Sequence, residues 1–245
     1  MAKDHDWHDW HSDECVDGYV EESRRGAATR KQRFDLLVDL IPFEKDDPIA
    51  VLDVGGGHGP VSALVLAAFP KASVTLHDYS EPMLGHARAL LAPYADRVSY
   101  VKADLFSRDW LAAAGGPFQA VVSASVLHNL QDPGRLCEIY NEIHDVVGDS
   151  GCFLNLDIVK APSPELQVRY GEIMYTLRER ETAAAKDRGE TVERWSGAGS
   201  DPRTWEWPPY PSDVDEQLTW LLAAGFTQAD CFWKHLGTAL VGGFK

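Results

Sequence analysis

Asp53, Asp78 and Asp104 each stand at or just beyond the end of a short apolar run, and His128 follows a fourth such run. The first run, Ile49 to Val54, lacks helical spacing and is rich in β-branched residues, the pattern of a strand buried on both faces. It stops in Gly55-Gly56-Gly57-His58-Gly59-Pro60. Without Cβ atoms such a turn reaches positive φ and lets a ligand come close, where the next helix presents free N–H groups. A carboxylate ending the second run can accept two hydrogen bonds from ribose hydroxyls, which suits any adenosine ligand. An imidazole titrates near neutrality, so His128 suits proton transfer.

These residues need a scaffold of alternating strands and helices. Ala72 to Leu76, Val98 to Val101, Ala120 to Ser123 and Gly151 to Val159 read as further strands. Between them Pro60 to Phe69, Ser80 to Leu91 and Pro133 to Val147 carry helical apolar spacing, with Pro60 at a first helical position and Ser80 as N-cap. Asp213 to Ala224 reads as a helix closed by Gly225. Thr227 to Lys234 and Thr238 to Phe244 leave no room for a helix between them, so they pair antiparallel.

The spacing Asp53-x-Gly55-x-Gly57-x-Gly59 misses the dinucleotide fingerprint, whose third glycine falls on Pro60 when counted from Gly55. It resembles instead the first motif of class I S-adenosylmethionine-dependent methyltransferases, and the later strands, from Ile49 to Val159, carry that family's signals in order. The resemblance implies an α/β, Rossmann-like, doubly wound seven-stranded sheet with a C-terminal antiparallel hairpin. It implies S-adenosylmethionine as cofactor and S-adenosylhomocysteine as product. The glycine turn, with Gly55, Gly57 and His58, would pass under the methionine part, Asp78 would hold the ribose, and Asp104 with Leu105 would meet the adenine. Asp53, Tyr79, Met83 and Ser123 join this cofactor set. Tyr19, and Arg33 from a helix expected over Arg24 to Ile41, are candidates for the cofactor carboxylate. Several small-molecule O-methyltransferases carry a histidine where His128 stands, in a similar Leu-His context, although Asn129 and Leu130 follow here instead of a second histidine or a tryptophan. His128 is the candidate general base; structural hydrogen bonding in the turn is the other reading.

Three segments are expected: an N-terminal arm and helix over residues 1–48, a core over 49–159 and 212–245, and an insertion over 160–211. The insertion combines a helical stretch, Ser163 to Arg188, with Trp195, Trp205, Trp207 and Tyr210, and is expected to cover the acceptor. A net charge of -15 argues against nucleic acid and favours a small-molecule acceptor. Within the resemblance, methylation on oxygen or nitrogen is the expectation, while the sequence itself leaves open whether oxygen, nitrogen, sulfur or carbon receives the methyl. No signal peptide or membrane-length apolar stretch is read, so a cytoplasmic location away from membranes is expected. Cys15, Cys137, Cys152 and Cys231 have no zinc spacing. His5, His8 and His11 near one helical face make a metal conceivable, but an aromatic arm is the preferred reading and no metal is expected. The sequence leaves open whether the acceptor is aromatic and whether the chain forms a homodimer. Two other readings stand beside the enzyme: a SAM-binding partner protein without catalysis, and a nicotinamide-dependent oxidoreductase, which the glycine spacing opposes.

Overall fold

In the computed structural model seven strands form one sheet in the order β3-β2-β1-β4-β5-β7-β6. The structure describes residues 9–130, 132–189 and 212–245. His5, Trp7, His8, Trp195, Trp205, Trp207 and Tyr210 lie outside these residues. The strands are β1 (Ala50–Val54), β2 (Ser73–Asp78), β3 (Val98–Lys102), β4 (Phe118–Ala124), β5 (Val147–Ile158), β6 (Gln228–His235) and β7 (Thr238–Phe244). β1 to β5 pair parallel, while β7 runs antiparallel between β5 and β6, as the short link from His235 to Thr238 requires.

Helices cover both faces of the sheet. α1 (Asp13–Arg25), α2 (Ala27–Asp39), α3 (Pro60–Ala68) and α4 (Glu81–Leu90) precede β3, and α5 (Pro133–Val146), α6 (Pro164–Asp187) and α7 (Val214–Ala224) follow β4. Successive strand residues point to opposite faces, so Val51, Val122 and Leu154 pack with α2 to α4, and Leu52, Val121 and Phe153 with α5 and α7. Local chemistry sets the helix ends. Ser80 accepts from the amide of Met83, Asp132 from Gly134 and Arg135, and Asp213 forms a capping box with Glu216.

Two elements differ from the sequence expectation. The helix expected over Arg24 to Ile41 is two helices meeting at Gly26, and α1 starts earlier, capped by Ser12 with Asp13 and Glu14 in its first turn. The apolar stripe of α6 is not a buried one. Among the described residues of that helix only Ala185 is buried, and Leu166 and Leu177 are exposed.

Candidate active site

A cavity of about 570 Å³ opens where β1 and β4 lead out of the sheet in neighbouring turns. Its floor is the glycine turn. Gly55 and Gly57 take φ values of +62° and +55°, a region that costs most side chains energy. A Cβ on Gly55 would sit 2.3 Å from Val126, whereas one on Gly57 would meet only the Met83 sulfur at 3.8 Å. Gly57 therefore leaves space in the cavity, and Gly55 leaves space for the chain beyond β4.

Asp78 ends β2 and ties this turn to the next helix. One carboxylate oxygen accepts from the Gly57 amide at 2.9 Å, the other from the Ser80 amide at 2.8 Å. Each oxygen retains acceptor capacity for a ligand hydroxyl. Burial raises the pKa of Asp78, and the bonds from Ser80 and Gly57 offset part of that rise. Asp53 lies below the glycine turn, accepts from the Ser62 hydroxyl at 2.6 Å, and is pushed up to about 6 by burial.

α1 and α2 close one side. Trp10, Tyr19 and Ser23 line the cavity with Arg30 and Phe34 of α2. Arg30 donates to the hydroxyl and the main-chain oxygen of Ser23, and that hydroxyl lies 3.1 Å from His58 Nε2. Burial, with Arg30 nearby, brings His58 down to about 4. Past β3, Ala103, Asp104, Leu105 and Phe106 form the opposite wall, where Asp104 accepts from the Phe106 amide at 2.9 Å.

The turn after β4 carries His128. Ser125 holds φ at +60°, a non-glycine residue in the left-handed region, and redirects the chain into a 3₁₀ turn over Leu127–Leu130. His128 Nδ1 lies 2.7 Å from Asp157 Oδ1, and the His128 amide donates to Asp157 Oδ2 at 2.9 Å. Asp157 sits near the end of β5 and is buried. A carboxylate accepts, so Nδ1 carries a hydrogen, and in the neutral ring the lone pair is then on Nε2. A buried acid, a histidine of fixed tautomer and a cavity form a unit suited to taking one proton.

Of the residues expected from sequence, Tyr19, Asp53, Gly55, Gly57, His58, Asp78, Tyr79, Met83, Asp104, Leu105 and His128 all line this cavity. Two do not. Arg33 leaves α2 on another side and stacks over Trp233 of β6 at 5.5 Å, lining a separate groove; Arg30, one turn earlier, takes the cavity position. Ser123 is buried in the sheet, and strand alternation gives the cavity position to Ala124. Sequence reasoning also missed Asp157, whose signal was an acid inside the apolar run Leu154 to Val159. None of the described insertion residues lines the cavity. No group of three or more His, Cys, Asp or Glu able to hold a metal occurs among the described residues. None of the described helices is long and apolar enough to cross a membrane.

Residues 51–151 match the family described as methyltransferase domain. A ubiquinone/menaquinone biosynthesis C-methyltransferase, UbiE, of Cereibacter sphaeroides is 30% identical over 129 residues, 52% of this chain and 49% of that protein. The chain thus matches about half the length of this relative. The structure of an O-methyltransferase family protein from Burkholderia thailandensis superposes with a TM-score of 0.66 at 16% identity, covering 96% of this chain and 60% of that one. Human N-acetylserotonin methyltransferase, solved in complex with SAM, gives 0.57 at 15% identity, over 96% and 57% of the two chains. Each of these two solved structures shares the fold.

Proposed function

Because this chain carries a class I S-adenosylmethionine-dependent methyltransferase domain, we propose that it transfers a methyl group from that cofactor to a hydroxyl of a small-molecule acceptor. The observation that carries the oxygen reading is the His128–Asp157 pair on the wall of the cavity that the glycine turn floors. The residues present fit the cofactor. Gly57 leaves the cavity clear where a side chain would fill it, Asp78 offers free lone pairs to a ribose, and Arg30 offers a cation to the amino-acid carboxylate.

S-adenosylmethionine, when bound, supplies an electrophilic methyl on a sulfonium. The chain's own work is to bind, orient and remove a proton. His128 Nε2 accepts the proton of the acceptor hydroxyl, and Asp157 stabilises the imidazolium that results while holding the ring in place. Trp10, Tyr19 and Phe34 exclude water from the same space. The acceptor faces residues of an acidic chain, so a small neutral hydroxyl compound suits it better than nucleic acid.

Calorimetry with S-adenosylhomocysteine and NAD, followed by methyl-transfer assays over phenols, aliphatic alcohols and amines, tests the proposal. Binding of S-adenosylhomocysteine but not NAD, with transfer confined to hydroxyls, is expected. Transfer to amines alone would overturn the oxygen reading; cofactor binding without transfer in any class would support a binding protein instead.

A further inference from the structure

We propose that Arg135 and Glu142, outside the cavity on α5, are positioning residues that hold its adenine-side wall in shape. The inference rests on the cofactor reading above. It starts from a chain segment with little structure of its own: Asp104 to Trp110 follows β3 in turns, yet it supplies Asp104, Leu105 and Phe106 to the cavity.

That segment is held from below. The Arg135 side chain is only 7% exposed. Its Nε donates to the main-chain oxygen of Leu105 at 2.7 Å, and one terminal nitrogen donates to that of Ser107 at 3.1 Å. The remaining hydrogens go to Glu142, at 2.6 and 2.9 Å, and to Glu138 at 3.2 Å. All five guanidinium hydrogens thus have acceptors, two of them loop carbonyls on either side of Phe106. A lysine has no planar fork to make this set.

Glu142 adds a second tether. It accepts from the indole nitrogen of Trp110 at 2.5 Å, and the Trp110 ring packs edge-on against His77 with centroids 5.0 Å apart. His77 Nδ1 in turn faces the Gly55 amide at 3.4 Å. One ion pair on α5 therefore fixes both ends of the adenine-side segment and backs the start of the glycine turn. Glu138 also meets Arg108 at the exposed rim, but the buried bond to Leu105 and the partly buried ones to Ser107 and Trp110 set the loop's position.

The test uses the full chain with Glu142→Gln, which keeps the side-chain shape but removes the charge and one acceptor oxygen. Wild type and variant are titrated by calorimetry with S-adenosylhomocysteine and with its inosine analogue, and their Tm values recorded. The expected result is a Kd for S-adenosylhomocysteine raised about tenfold, the scale of one lost hydrogen bond to a charged group. The preference for adenine over hypoxanthine should fall by a similar factor, a change that loss of stability alone does not produce. Trp110→Phe, which removes the indole donor together with part of the ring's volume, is the second variant and should shift the ratio about threefold in the same direction. Folded variants with native Kd and native adenine preference would overturn the clamp while leaving the cofactor reading intact. A lowered Tm with an unchanged ratio would assign the network to folding alone and overturn it too. Wild-type protein that binds neither ligand would remove the cofactor reading, and the clamp with it.

Discussion

Gly55→Ala separates two jobs of the glycine turn. Its φ of +62° places an alanine in the left-handed region, at roughly 1–2 kcal/mol. The added Cβ would lie 2.3, 2.6 and 2.9 Å from three carbons of Val126, so that side chain must move, an overpacking cost of about 1–3 kcal/mol. The sum, roughly 2–5 kcal/mol, corresponds to a fall in Tm of about 10 °C for a chain of this size. Val126 is two residues from His128, so the displacement is expected to reach the proposed base as well. Urea unfolding and calorimetry with S-adenosylhomocysteine measure both consequences. Gly57→Ala is the control: its φ of +55° brings similar strain, but with Met83 at 3.8 Å there is no crowding. Its stability loss should be only about 1–2 kcal/mol, with the larger effect on ligand affinity. In the double variant Gly55→Ala/Val126→Ala, coupling of about 1–3 kcal/mol should appear as the steric part is relieved. Equal stability losses in the two single variants, or no coupling in the double one, would refute this division of labour.

His128→Ala should lower turnover of a hydroxyl acceptor by about 10²–10⁴-fold, with partial recovery as pH rises and the acceptor ionises unaided; a native rate across pH would refute the base role. Asp157→Asn should lower turnover in the same direction with near-native affinity for S-adenosylhomocysteine, because the amide can donate to Nδ1 and stabilise the wrong tautomer; unchanged turnover would count against the pair. Asp78→Ala should weaken cofactor binding by about 1–3 kcal/mol and also lower Tm, since the Gly57 and Ser80 amides lose their acceptor; unchanged affinity in a folded variant would sink the ribose assignment. For pH dependence, His58 at about 4 in the fold against 6.5 unfolded means the unfolded chain binds more protons between these values. Wild type should therefore lose stability relative to His58→Gln as pH falls from 6.5 to 4, by about 1.4 kcal/mol per unit. Asp53, raised from 3.8 to about 6, has the opposite sign: its contribution is present below 3.8 and fades as pH rises through 6, so wild type should lose ground to Asp53→Asn in that direction. Urea midpoints across this range check both slopes, and a common sign would contradict them.

The sheet was legible because its strands announce themselves as apolar runs, and short connections such as His235 to Thr238 admit one pairing. The places of the glycine turn, Asp78 and Asp104 on the cavity were legible because clefts in this architecture open at the strand ends. What was not legible depended on phase or on distance along the chain. α2 is polar over much of its surface, so nothing local separated Arg30 from Arg33, and only packing sends one to the cavity and the other to Trp233. Ser123 failed by one step of a two-residue period. Asp157 meets His128 across 29 positions, and Arg135 meets Leu105 across 30, contacts that exist only once β4, β5 and α5 have assembled. Arg135 with Glu138 and Glu142 reads in sequence as an ordinary charged helix face, because burial is set by the loop that folds over it.

α1 is attached lightly for an element that walls the cavity. Val16 and Val20 share a small apolar cluster with Met83, and polar links run from His86 to Asp17, from Ser80 to the Trp10 main chain, and from Ser23 toward His58. Few apolar contacts mean a low local opening free energy compared with the sheet. On the proposed cofactor reading, α1 is therefore the element expected to open when a bulky nucleoside enters or leaves, while the sheet stays closed. On that reading substitutions at Asp17 or His86, remote from His128, are expected to shorten the residence time of S-adenosylhomocysteine, and an unchanged dissociation rate would count against it.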